Sequence, residues 1–113
     1  MKKSNLAVLF VLMILSSSSA MAQADTLYIR TSAQCGTCKR KLERDMSFER
    51  GVKKVSLDLD TKQLMVVFQP SKTDPSLLRK AVTVIGYDAD SLTALPEAYE
   101  RLPACCKRGG HGH

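Results

Sequence analysis

The chain has 113 residues, with 17 Lys and Arg against 11 Asp and Glu and a net charge of +6. It has no tryptophan, and three tyrosines and three phenylalanines are its only other large rings. The basic excess therefore lacks the aromatic-studded stripe that stacks bases, and nucleic acid is excluded as the expected partner. Both histidines, His111 and His113, lie at the C-terminal end, apart from any serine or carboxylate pairing that would suggest a hydrolase.

In chain order, Lys2 and Lys3 come first, followed by the apolar run 6–15 and four serines. The run is too short for an ordinary membrane span. Ala22-Gln23-Ala24 fits the small-residue cleavage pattern of an export signal. Residues 1–24 are expected to be a cleaved signal peptide, with a cut after Ala22 as the near alternative. No cysteine ends the apolar run, so a lipid anchor is not expected. Cleavage would leave 89 of the 113 residues and a net charge of +4. That is one small domain, expected to be periplasmic and monomeric. Export places the four cysteines in an oxidising compartment. They allow three full pairings, so the chain has to be read both as a disulfide protein and as a thiolate protein.

Residues 26–31 alternate Leu27 and Ile29 with Tyr28 and Arg30, which predicts a short strand. A loop over 32–36 leads to a helix over 37–48. There Cys38, Leu42 and Met46 recur every four residues on one face, and Gly51 is a natural stop. Residues 52–59 alternate again, with Val55, Leu57 and Leu59 on one face. Asp60-Thr61-Lys62 turns the chain into a partner strand carrying Leu64, Val66 and Phe68. Asp74-Pro75 is a cap followed by proline at the first helical position. Leu77, Leu78, Ala81, Val82 and Ile85 form the buried stripe of the second helix, and Gly86 closes it. Residues 87–92 are read as a fourth strand. The order βαββαβ, with right-handed crossovers, predicts an α+β ferredoxin-like sandwich: a four-stranded antiparallel sheet with two helices on one face. The domain is expected over 25–93, with a flexible Cys/His-containing tail over 94–113 in which 96–102 has room for one or two helical turns.

Cys35 and Cys38 stand at the junction of the first strand and helix. Amides at a helix N-terminus stabilise thiolate, as does nearby positive charge from Lys39, Arg40, Lys41 and Arg44. Paired thiolates favour soft ions such as Cu(I). A structural zinc site needs four ligands, which this pair alone does not supply. The same spacing also marks dithiol redox proteins, so thiol–disulfide exchange by Cys35 and Cys38 is the alternative, and a disulfide-stapled adaptor a third reading. The basic run is assigned to docking an acidic partner surface, against the plainer reading of a solvated face.

Residues 26–92 resemble the heavy-metal-associated domain. The resemblance is carried by Cys35-Gly36-Thr37-Cys38, Leu42, Gly51-Val52, Val66-Val67-Phe68 with Pro70, and Ile85-Gly86-Tyr87. An export signal ahead of a single domain is most similar to the periplasmic mercuric-ion-binding members, with the copper chaperones next. The resemblance implies Cys35 and Cys38 as ligands of a soft ion and Tyr87 as a residue lying over the metal loop. Hg(II) or Cu(I) is the first expectation, and Zn(II), Cd(II) and Ag(I) stay open. A membrane metal transporter or another thiol metal-binding protein is the implied recipient. The chain departs from the family at Ala33 and Ser32, where a buried methionine and a glycine are usual, so a looser metal loop is expected. It also departs at Glu49, a usually apolar place that Phe48 is expected to fill.

In the tail, Cys105, Cys106, His111 and His113 crowd into nine residues and form a candidate second metal site, against a disulfide or a plain polar end. A fourth strand antiparallel to the first would leave the sheet at the end away from Cys35. Residues 95–104, at up to about 3.3 Å each, are long enough to bring Cys105 and Cys106 back across a small domain. Met46 is expected in the core, and Met65, on the opposite strand face, to be partly exposed.

Overall fold

The computed structural model describes residues 23–107. Nearly all of the predicted signal segment, and His111 and His113, lie outside the described residues. Strand β1 (Asp25–Arg30) leads to helix α1 (Gly36–Ser47), the hairpin β2 (Val52–Asp58) and β3 (Gln63–Phe68), and helix α2 (Pro75–Ile85). A short helix α3 (Pro96–Glu100) and a 3-10 turn (Ala104–Cys106) follow. Among these residues no helix is long and apolar enough to cross a membrane.

The sheet is antiparallel in the order β1-β3-β2. Alternation does what it predicts in β3: Leu64, Val66 and Phe68 are buried, while Met65 is half-buried. They pack with Ile29 and Leu57 under Cys38, Leu42 and Met46 of α1 and Leu78, Ala81 and Val82 of α2. Asp74 caps α2 by accepting the Leu77 amide at 2.9 Å, and Pro75 takes the first helical position. Two readings of single side chains are corrected. Leu77 is 55% exposed, because the buried arc of α2 runs through Leu78, Ala81 and Val82 and leaves Leu77 beyond its edge. Phe48 is 83% exposed and fills no gap, since the helix ends at Ser47 and Phe48 is its C-cap.

The main correction concerns the fourth strand: the sheet of the described residues has three. Ala89 makes one bridge to Thr31, and the chain then turns. Ala89 and Leu92 exchange backbone hydrogen bonds of 3.0 and 2.9 Å, around Asp90 at φ +53°. The β1 edge is closed by one residue instead of a strand. The Asp90 amide donates to the Arg30 carbonyl at 2.8 Å, and its carboxylate accepts the Arg30 amide at 2.9 Å. The other carboxylate oxygen holds Arg79 Nε at 2.8 Å.

Because the chain turns back at once, it never reaches the far end of the sheet. The Leu95 amide donates to the Thr83 carbonyl at 3.0 Å, which sets α3 against the end of α2. Gly86 makes that approach possible. Its φ is +123°, and a Cβ there would lie 2.9 Å from the Ala98 carbonyl oxygen and 3.0 Å from Leu102. The segment expected as a flexible tail is thus packed as far as Lys107, with Ala94, Ala98, Leu102 and Cys106 buried.

Candidate metal centre

Cys35 is the N-cap residue of α1, in extended conformation, and no conventional side-chain cap forms there. The loop before it is tightly held. The Thr31 amide and hydroxyl both donate to the Lys62 carbonyl, at 2.8 and 3.2 Å, and the Ala33 amide donates to Thr31 Oγ1 at 3.3 Å. Ala33 is wholly buried, so the small side chain in place of the family's methionine is accommodated in a closed loop. Ser32 Oγ accepts the Asp88 amide at 2.9 Å, fastening the loop to the segment after α2.

Cys38 is buried on the first turn of α1 and Cys35 is half-exposed, with their sulfurs 3.2 Å apart. Burial pushes the Cys35 thiol up. Hydrogen bonds to its sulfur from the Cys38 amide and side chain, the Cys105 side chain and the Thr37 amide outweigh this and bring it down to about 7. The amides at the start of α1 thus favour the thiolate form of Cys35 at the mouth of the site.

The tail thiols come to the same place. Cys106 is 2% exposed, and its sulfur lies 4.0 Å from that of Cys105. The sulfurs of Cys35, Cys105 and Cys106 all lie within 4.8 Å of one another. As thiols, Cys35 and Cys38 donate to the Cys105 carbonyl at 3.6 and 4.0 Å. Gln34 Nε2 donates to the Lys107 carbonyl at 3.0 Å and ties the loop to this segment. Burial, and next the neighbouring Cys38, keep the Cys106 thiol well above the ordinary range. All four thiols are free.

Tyr87 is fully buried, and its hydroxyl has no partner of proper hydrogen-bond geometry. Burial first, then the sulfurs of Cys106 and Cys38 beside it, hold its phenol far above the usual value. The hydroxyl thus sits among thiols without a hydrogen bond of good angle.

The basic run is largely occupied. Lys39 pairs with Glu43 at 2.7 Å and donates to the Leu57 carbonyl at 2.6 Å, so it ties α1 to β2. Lys41 and Arg44 both lie 3.0 Å from Asp45. Arg40 is exposed, its guanidinium 3.4 Å from Thr37 Oγ1. Gln34 and Asp90 escape a sequence reading. Nothing in composition marks Gln34, whereas Asp88 and Asp90 within a supposed strand are a turn signal.

Residues 32–88 match the sequence profile of the heavy-metal-associated domain. The chain belongs to that family. Both groups within it that the sequence resembles are represented among solved structures of similar fold. The CopZ metallochaperone is 26% identical, with 57% of this chain and 98% of that one covered and a TM-score of 0.55. Oxidized MerP from Ralstonia metallidurans CH34 is 28% identical, with 60% and 96% covered and a TM-score of 0.57. Among curated proteins, a copper-exporting P-type ATPase of Staphylococcus epidermidis is 32% identical over 60 residues, 53% of this chain and 8% of the relative. Copper-transporting ATPase 1 of Mus musculus is 34% identical over 68 residues, 60% and 4% respectively. The chain therefore spans less than a tenth of these curated relatives. The heavy-metal-associated match ends at Asp88, so Cys105 and Cys106 lie beyond it.

Proposed function

We propose that this protein is a soft-metal carrier. It captures Hg(II) or Cu(I) on Cys35 and Cys38 and passes it by thiol exchange to a membrane transporter or another thiol protein. The observation behind this reading is the 3.2 Å sulfur pair at the start of α1, one member half-exposed and the other buried. Two thiolates suit a soft ion held in low coordination, and the half-exposed Cys35 side leaves that ion open to an incoming thiolate. Ligand exchange of this kind needs no catalytic residue. The basic leader with its apolar run supports export to the periplasm as the place of work.

The test is titration of the reduced chain with Cu(I) and with Hg(II) beside a Cys35→Ser/Cys38→Ser variant, against a competing chelator. Loss of affinity in the variant is expected for both ions; equal stoichiometry and affinity in the two proteins would overturn the reading. The close sulfur pair and the lowered Cys35 thiol suit dithiol redox chemistry as well. That rival requires measurable disulfide exchange with glutathione at a potential in the range of dithiol enzymes.

A further inference from the structure

Thiols from two separate segments, 35–38 and 105–106, meet at Cys35, whose sulfur lies within 4.8 Å of those of Cys105 and Cys106 and 3.2 Å from that of Cys38. The spacing suits a single ion. A metal–thiolate bond of about 2.3 Å sets a tetrahedral sulfur–sulfur edge of about 3.8 Å and a trigonal edge of about 4.0 Å. The observed separations include 3.2 Å for Cys35–Cys38 and 4.0 Å for Cys105–Cys106, and three of the sulfurs lie within 4.8 Å of one another. The arrangement is built in: Cys106 and Leu102 are buried, and Gln34 holds the Lys107 carbonyl. A second observation points the same way. The buried Tyr87 hydroxyl lacks a hydrogen-bond partner, and the sulfurs of Cys38 and Cys106 are the groups beside it. A neutral phenol is a donor, and a metal-bound thiolate is the acceptor that would satisfy it.

We propose that Cys105 and Cys106 are ligands of the same centre as Cys35 and Cys38, so that the chain closes its own site with a third and fourth sulfur around one divalent d10 ion. This rests on the reading of Cys35 and Cys38 as metal ligands and extends its ligand set and its range of ions. Three- and four-sulfur shells suit Zn(II) and Cd(II), which a bare pair holds less completely. Each thiol that binds releases its proton to water, and no electron changes hands. The tail occupies the position that a partner's thiols would take during transfer.

The test uses Cd(II) as probe and the ultraviolet sulfur-to-cadmium charge-transfer band as readout, with the reduced full chain. The wild type is expected to saturate at one Cd(II) per chain. In Cys105→Ser/Cys106→Ser the band should fall to about half, two of four sulfurs being gone, with affinity down on the order of 100-fold from loss of the tethered ligands. Cys105→Ser alone leaves the buried Cys106 in place and should lose about a quarter to a third of the band, which keeps the test decisive if the double variant folds poorly. A full-strength band in both variants, or two independent Cd(II) ions on the wild type, overturns the closed site and leaves the Cys35–Cys38 reading standing. An unchanged band in Cys35→Ser/Cys38→Ser overturns that underlying reading instead.

Discussion

Gly86 is the position on which the seating of α3, and with it the placement of the tail thiols, depends, and Gly86→Ala tests that dependence. Two separate costs can be assigned. A residue with a Cβ held at φ +123° is strained, at about 1–3 kcal/mol. The new methyl would also stand 2.9 Å from the Ala98 carbonyl oxygen and 3.0 Å from Leu102, and forcing an extra carbon into such a contact costs about 1–3 kcal/mol. The first cost falls on α2 itself. The second is relieved only if α3 and Leu102 move outward, because the nearest atom belongs to backbone and cannot swing aside. A combined loss near 3 kcal/mol in a domain of this size should lower Tm by more than about 10 °C. The movement should also uncover Cys106, which is 2% exposed. The assay is a urea melt beside the rate of iodoacetamide modification at each cysteine, read by peptide mass spectrometry. The expected pattern is a lowered midpoint, with Cys106 gaining reactivity far more than Cys35, which is already half-exposed. A variant with the wild-type midpoint and an equally protected Cys106 would refute the argument that Gly86 seats α3.

Two further substitutions have signs that follow from the same geometry. Asp90→Ala removes the acceptor of the Arg30 amide and the partner of Arg79, at a cost of about 1 kcal/mol near neutral pH. Burial raises the Asp90 carboxyl, but the Arg30 amide and Arg79 outweigh it and hold it below the ordinary carboxylate value. Its contribution is therefore present above the unfolded pKa of about 3.9 and is lost as pH falls through the lower folded value. The gap between the urea midpoints of wild type and variant should narrow as pH falls through this range, and a gap that stays constant with pH would contradict this. Tyr87→Phe removes a buried hydroxyl without a partner, so the metal-free protein should be unchanged or stabilised by up to about 1 kcal/mol. Metal affinity should drop several-fold in the same variant, since the bound sulfurs lose their donor. A stability loss without any affinity change would assign the hydroxyl a purely structural role.

The first three strands and both long helices were legible because period and punctuation agree there. Cys38, Leu42 and Met46 recur on one face of α1, Leu64, Val66 and Phe68 on one face of β3, and Asp74-Pro75 starts α2 where a cap and proline should. The Cys35–Cys38 pair was legible for the same reason, being fixed by the ends of β1 and α1. The tail was not. Residues 87–92 contain Tyr87, Ala89 and Leu92 at spacings that a strand tolerates, and alternation alone does not register a carboxylate that occupies a strand's hydrogen-bonding edge. Asp88 and Asp90 were the available warning: such residues are depleted in strands and favoured in turns. Once the strand is read in full, the chain is sent to the wrong end of the sheet, and Cys105 and Cys106 have to return along an extended linker. With the turn at Asp90 they need no such path.

That turn bears on how a carrier with a closed site would release its ion. The segment that brings Cys105 and Cys106 to the loop is short: one 3-10 turn, the buried Leu102 and Cys106, the side-chain hydrogen bond from Gln34, and the long thiol contacts of Cys35 and Cys38 with the Cys105 carbonyl. Elements anchored by so few contacts open at much lower free energy than the sheet they rest on. The pair 35–38, by contrast, is seated on β1 and α1, which share the main core. A partner thiolate that attacks the ion beside Cys35 would therefore compete with the tail, the weaker of the two arms, and the ion would stay on the rigid arm while the tail's sulfurs are exchanged for the partner's. In the proposed carrier this difference in anchoring would set the order of events: the tail would leave first, the partner's sulfur would take its place, and the pair on α1 would let go last.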